Sequence, residues 1–385
     1  MNEIKQWAYR NLKGDPVIWF IVTVLSLFSI LVVYSATGSL AYKRMGGDTE
    51  YYLIKHSALV MLSLLAMWLA HRVDYRYFSK ISRLVLWVSV PLLLFTWKFG
   101  VSINEASRWI TIPIINQAFQ PSDLAKLALI ITLASMLSNR QERIADFQKA
   151  IIPMLMWIGL ICGLIALTDI SSAVLLFATC MLILFIGRVP MKYLAMLMLI
   201  GGLAGVSAIA LGQRGDTALS RIEDFYSGDT PFQAKQAYVA VATGGLLGKG
   251  PGQSDQRNFL PSSFSDFIYA IILEEYGLIG GLTVLLLYLG LLYRGMRASL
   301  ACEKTYGGLL SAGLSFAIVV QAMINMGVAV GLGPITGLTL PLISMGGTSQ
   351  LFMGISLGII LSVSRGEMDT IGKPVSNQYR MNQAA

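Results

Sequence analysis

The chain has 385 residues, of which 55% are hydrophobic and only 13% charged, with a mean hydropathy of +0.65. This composition excludes an ordinary soluble domain and points to a polytopic membrane protein. The net charge of +8 would suit nucleic acid, but the basic residues are placed as a topology signal, and no nucleic-acid partner is expected.

Apolar runs long enough to cross a bilayer recur at about 17–38, 53–71, 82–99, 122–138, 151–167, 171–187, 192–212, 266–293, 306–330 and 346–364. They predict an all-α integral membrane protein of about ten transmembrane helices, forming a single polytopic domain over 1–385. The first run follows Lys5, Arg10 and Lys13 and is longer than a signal-peptide core, so it reads as an uncleaved anchor. Only TDIS separates the fifth run from the sixth, which makes a tight hairpin.

Ten spans put both termini on one side. Most of the 29 lysines and arginines fall on that side, which the positive-inside rule makes cytoplasmic. Residues 1–16 form a cytoplasmic N-terminus and 366–385 a polar, disordered cytoplasmic tail. Residues 213–265 form a large extracytoplasmic loop between spans 7 and 8. Cys162, Cys180 and Cys302 have no ligand or disulfide spacing, and only two histidines are present, so no metal site is expected.

The polar residues that stand out lie on the outer side. Asp123 and Lys126 follow Pro121 at the start of the fourth span and share one helix face. They read either as an ion pair or as a cation awaiting a substrate phosphate. The loop carries Arg221, Gln233, Lys235, Gln236, Lys249 and Arg257, and PFQAKQAYVAVATGGLLG reads as an interfacial helix. Asp266 stands at the mouth of the eighth span. A carboxylate there is either a helix cap, a role Ser265 could share, or a working group facing a cavity, because facing lipid at mid-depth costs about 2.5–3.5 kcal/mol.

Glu274 and Glu275 follow on the same span. At 100° per residue they point away from Asp266 and from each other, so at least one is structural. Gln321 and Asn325 sit one turn apart on the ninth span. The glycine- and proline-broken stretch GLGPITGLTLPLISMGGTS that follows predicts a re-entrant segment.

Five ordered blocks carry a resemblance: SRWI at 107–110, FQPSDLAK at 119–126, FQAKQAYVAVATGGLLGKGPG at 232–252, LPSSFSDFIYAIILEEYGLIGG at 260–281 and PITGLTLPLISMGGTS at 334–349. Together they make the chain similar to the SEDS family, the FtsW/RodA/SpoVE membrane proteins of bacterial wall synthesis. TGLTLPLIS is more like the division member, FtsW, than RodA, which tends to have proline in place of Thr339. Asp123 stands where the family usually has glutamate. Phe264-Ser265 replaces the usual His-Thr, and LTDISSA keeps Asp169 while losing the surrounding motif.

The resemblance implies a peptidoglycan glycosyltransferase of septal cell-wall synthesis, polymerising lipid II on the outer face of the bacterial cytoplasmic (inner) membrane. It places the family's essential aspartate on Asp266, its acid–lysine motif on Asp123 and Lys126, and its loop glutamines on Gln233 and Gln236. Asp266 is the expected general base of an inverting transfer. Lys126 and Arg108 are expected to stabilise the leaving pyrophosphate, with Lys249 a further substrate contact and a divalent cation, magnesium or manganese, an option there. The implied partners are a class B penicillin-binding protein, division-complex regulators and membrane lipid. The competing readings are a lipid II flippase, an elongation-type RodA-like polymerase and a scaffold for division proteins.

Overall fold

A computed structural model describes residues 12–45, 49–103, 106–112, 117–144, 146–211, 215–227, 231–260 and 263–371. The predicted N-terminal segment and tail therefore lie largely outside the described residues. The chain forms helices α1 (Pro16–Met45), α2 (Thr49–Arg72), α3 (Tyr75–Phe99), α4 (Pro121–Asn139), α5 (Ile152–Ala166), α6 (Ile170–Ile186), α7 (Met191–Leu211), α8 (Gly215–Ser227), α9 (Phe232–Gly244), α10 (Ile268–Ala301), α11 (Thr305–Ala329) and α12 (Thr348–Ile371).

Seven helices among the described residues are long and apolar enough to cross a membrane: α1 to α4, α5 with the π-helical turn before it, α10 and α11. The 170–186 and 191–207 helices are shorter and apolar, and α12 covers the tenth predicted run. The protein is thus a multi-pass, mostly helical membrane protein.

Three features depart from the sequence reading. The all-α expectation leaves out a small antiparallel sheet between α3 and α4, β1 (Val101–Ile103), β2 (Ala106–Ile112) and β3 (Gln117–Phe119), in that order. Its first and third strands are only three residues each, too short for a clear period-2 pattern. The third helix starts at Tyr75 rather than near 82, because Asp74 caps it by accepting from the Arg76 amide at 2.9 Å. The last helix runs through Ile371, past the predicted tail boundary.

α2 packs along α12, α10 along α11, and α3 along α4. Among the described residues the Tyr306 and Ser315 hydroxyls are buried without a partner, but many polar groups inside this apolar bundle are paired, as a low-dielectric interior favours. Asp169 is an example: it caps α6 by accepting from the Ser172 amide at 3.2 Å and the Ser172 hydroxyl at 2.6 Å. That cap is a structural reason for a buried aspartate there.

Residues 331–347 between α11 and α12 are irregular, as their glycines and prolines predict. Side chains from four helices hold this backbone. Ser29 of α1 donates to the Ile343 carbonyl (2.7 Å), Tyr288 of α10 to that of Pro341, Gln321 of α11 to that of Thr339 (2.9 Å), and Gln350 of α12 to that of Ser344 (3.1 Å). The segment is a shaped wall rather than a loose loop.

Candidate active site

Asp266 lies in a turn ahead of α10. The helix begins at Ile268, and its N-cap residue is Phe267, with no side-chain cap. Asp266 thus stands one residue before the N-cap position. It is half-buried, and the Ser265 hydroxyl donates to its Oδ1 at 2.9 Å.

The backbone around it is clamped from two sides. Asn325 of α11 donates through Nδ2 to the Asp266 carbonyl (2.8 Å) and to the Leu338 carbonyl (2.7 Å). Ser344 donates to the Ser265 carbonyl (2.7 Å), and the Met345 amide donates to the Phe264 carbonyl (2.9 Å). A carboxylate on so fixed a backbone is pre-positioned, which is what a catalytic group requires.

Arg221 of α8 reaches the same place. Its Nη1 donates to the Ile335 carbonyl at 3.2 Å. A β-carbon placed on Gly337 would come within 3.7 Å of Asp266 Oδ2 and 4.0 Å of Arg221 Nη1. Gly337 has φ +67, a left-handed conformation that glycine adopts freely, so the irregular segment passes between acid and cation without filling the space. Sequence reasoning noted Arg221 only as a loop cation; its approach to Asp266 depends on the fold and leaves no local pattern.

The second polar centre is at the start of α4. Lys126 Nζ bonds Asp123 Oδ1 at 2.9 Å, with their side chains only 16% and 13% exposed. Ser349 of α12 donates to the other Asp123 oxygen. The pair and Ser349 border a cavity of about 60 Å³ whose walls include Gln321, Thr179, Phe352 and Met353. An ammonium has three donors; Asp123 occupies one and holds the cation in place. Gln321 on this cavity and Asn325 on the Asp266 loop are one helical turn apart, a rise of roughly 6 Å, so α11 couples the two centres.

The other predicted residues are placed differently. Lys249 bonds Glu274 Oε1 (2.6 Å) and Asp255 Oδ2 (2.9 Å). Those hydrogen bonds, the one to Glu274 above all, raise its pKa above the ordinary lysine range. Glu274 also accepts from the Ser254 hydroxyl (2.5 Å) and from the amides of Asp255 (3.2 Å) and Gln256 (3.3 Å). Glu275 accepts from the Ser35 hydroxyl of α1 and from the Ser254 amide (3.4 Å). Both glutamates tie the loop to α10, and Lys249 is bonded to Glu274 and Asp255 within it.

Glu274→Ala should strip the buried Ser254 hydroxyl and Gln256 amide of their acceptor, at about 1–3 kcal/mol for each one left unpaired. Thermal unfolding in detergent should show a clearly lowered midpoint.

Gln233 and Gln236 lie partly exposed on α9, beside the buried stripe Ala234, Ala237 and Ala240. Among the described residues no hydrogen bond joins either glutamine to the Asp266 turn. Arg108 is in strand β2; its side chain lies outside the described residues. Among the described residues, no group of three or more His, Cys, Asp or Glu is placed to hold a metal ion.

Fold and site together define a polytopic helical membrane protein with an acid–cation centre at one end of its bundle. The family model described as "Cell cycle protein", that of FtsW, RodA and SpoVE, matches residues 15–369, and the chain belongs to that SEDS family, on its FtsW-like side. It is 31% identical over 365 residues to a probable peptidoglycan glycosyltransferase FtsW of Geobacter sp. (strain M18), covering 92% of this chain and 98% of that one. It is 34% identical over 368 residues to the stage V sporulation protein E of Bacillus subtilis, with the same coverage.

Among solved structures, a chain of a peptidoglycan synthase complex that coordinates polymerization and crosslinking superposes with a TM-score of 0.73 at 25% identity, over 92% of this chain and 98% of that one. The rod shape determining protein RodA of Thermus thermophilus gives 0.68 at 26% identity, over 92% and 97%.

Proposed function

We propose that this protein is a peptidoglycan glycosyltransferase that polymerises lipid II into glycan strands, with Asp266 as general base. The observation that carries the reading is the half-buried Asp266, whose backbone is clamped by Asn325 and Ser344 and whose carboxylate gathers with the Arg221 guanidinium around Gly337. The enzyme class is the one its FtsW relatives carry by name.

The acceptor sugar's 4-hydroxyl attacks the donor's anomeric carbon. The hydroxyl proton passes to Asp266 as the new C–O bond forms and the bond to the pyrophosphate oxygen breaks. An α-linked donor gives a β-linked product, so the configuration inverts and one base suffices. The departing pyrophosphate carries its own negative charge and needs cations rather than an acid. Lys126, held by Asp123, and Arg221 and Arg108 supply them. Gln233 and Gln236 serve as contacts on the loop side. In this reading the site is on the extracytoplasmic face of the cytoplasmic membrane, the chain crosses it ten times, and division is the setting. A class B penicillin-binding protein supplies the crosslinking and division regulators control the pair.

Lys126→Met tests the leaving-group role. Removing one preorganised charge contact of this kind costs about 10²–10³-fold in turnover. Asp123→Asn, which keeps a hydrogen-bond acceptor for Lys126, should cost distinctly less. Initial rates of lipid II consumption for both variants, purified with the penicillin-binding protein, decide it. Wild-type activity in Lys126→Met would remove Lys126 from the chemistry.

A further inference from the structure

α10 is 34 residues long but is not one helix: Gly277 breaks it, with φ +64 and ψ −168. A continuous helix would bond the Leu278 amide to the Glu274 carbonyl and the Ile279 amide to the Glu275 carbonyl. The break opens both bonds, and the loop after α9 closes the gap. The Lys249 and Gly250 amides donate to the Glu274 and Glu275 carbonyls, each at 2.9 Å. The Leu278 and Ile279 amides donate to the carbonyls of Gly245 (2.9 Å) and Leu246 (3.3 Å).

This stitching leaves two leucines pointing outward. Leu246 is 69% and Leu247 77% exposed, next to Leu278 and Ile279 at 54% and 56%. The same exposure continues down α10 through Leu282, Leu286 and Leu289, three to four residues apart, along the side of a helix that crosses the membrane. Residues 278–301 rise roughly 36 Å, enough to cross a hydrocarbon core of about 30 Å. The break therefore falls near the edge of that core on the Asp266 side.

We infer that Leu246 and Leu247 are inserted into the bilayer leaflet on the Asp266 side, as a wedge stitched into the break of α10. A non-helical loop enters lipid more readily the more of its backbone groups are satisfied, and the four hydrogen bonds to the broken turn occupy the Gly245 and Leu246 carbonyls and the Lys249 and Gly250 amides on either side of Leu247. Exposed leucine and isoleucine side chains suit acyl chains. The wedge sets the depth of the 249–256 loop, which Glu274 holds, and through the first part of α10 the depth of Asp266. The inference rests on α10 crossing the membrane, and it is independent of the glycosyltransferase reading.

The test uses the full chain in lipid nanodiscs. Leu247→Cys and, separately, Leu246→Cys are made in a Cys302→Ser background, where Cys162 and Cys180 stay buried, and labelled with a nitroxide. Collision with molecular oxygen is compared with collision with an aqueous nickel chelate. Leu282→Cys is the lipid reference, and Gln253→Cys, on the exposed part of the loop, is the water reference. Oxygen-favoured collision at both leucines, matching Leu282, is the expected result. Nickel access like that at Gln253 would overturn the inference, and so would shielding from both reagents, the signature of a protein surface covering the leucines. If one variant fails to fold, the other label carries the test.

Discussion

Asp266→Asn should leave a folded, partner-competent protein whose turnover on lipid II falls by about 10²–10⁴-fold, the usual worth of a positioned general base. The geometry explains why the effect falls on chemistry rather than folding. The groups that fix this turn are main-chain carbonyls and the side chains of Asn325 and Ser344, and the substitution touches none of them. The Ser265 hydroxyl, which donates to Oδ1, finds an amide oxygen of similar shape. What changes is the ability to take a proton from the acceptor hydroxyl. Steady-state rates, read beside a thermal unfolding midpoint and co-purification with the penicillin-binding protein, separate these effects. Lost activity with an unchanged midpoint is the expected outcome; a parallel fall in both would make Asp266 a structural residue.

Gly277→Ala should be among the most damaging single methyl additions to the fold. The backbone there has φ +64 and ψ −168, a region essentially reserved for glycine and costing about 1–3 kcal/mol for other residues. The new β-carbon would also lie 2.4 Å from the Gly248 nitrogen and 2.4 Å from the Leu246 oxygen. Those are backbone atoms of the stitched loop and cannot rotate away. Gly248, with φ +81, meets the same crowding from the other side: its β-carbon would lie 2.2 Å from the Glu275 carbonyl oxygen. Gly277→Ala is expected to fail in monodisperse purification or to unfold well below wild type. Gly252→Ala makes the control: it has φ +77 but open space around it, so strain acts there without overlap and the loss should be smaller. Equal midpoints for Gly277→Ala and wild type would mean that the loop is not stitched into α10.

Much of the architecture can be read from apolar periodicity alone, because a membrane helix must satisfy its own backbone over a fixed thickness. The Asp123–Lys126 pair was readable for the same local reason: three residues apart on a helix is contact distance. The irregular 331–347 wall announced itself through glycine and proline. The rest depended on contacts distant in sequence. Gly277 sits in an otherwise strongly helical run, so nothing nearby marks a break whose cause is a loop some thirty residues upstream. Lys249 reads as a loop cation until Glu274 is folded beneath it. Arg221 approaches Asp266 only because α8 lies over Ile335. Glu274 and Glu275 were seen to diverge from Asp266, but their partners, a loop and Ser35 of α1, could not be named.

The most direct measurement is polymerisation by the wild-type protein itself. The purified chain, saturated with its penicillin-binding protein in a transpeptidase-inactive form, is given lipid II in a bilayer, and the products are resolved by length and by linkage. β-1,4-linked glycan strands, with lipid pyrophosphate released in step, are the expected result. Translocation of intact lipid II without any strand would contradict the account and make the protein a transporter of that lipid.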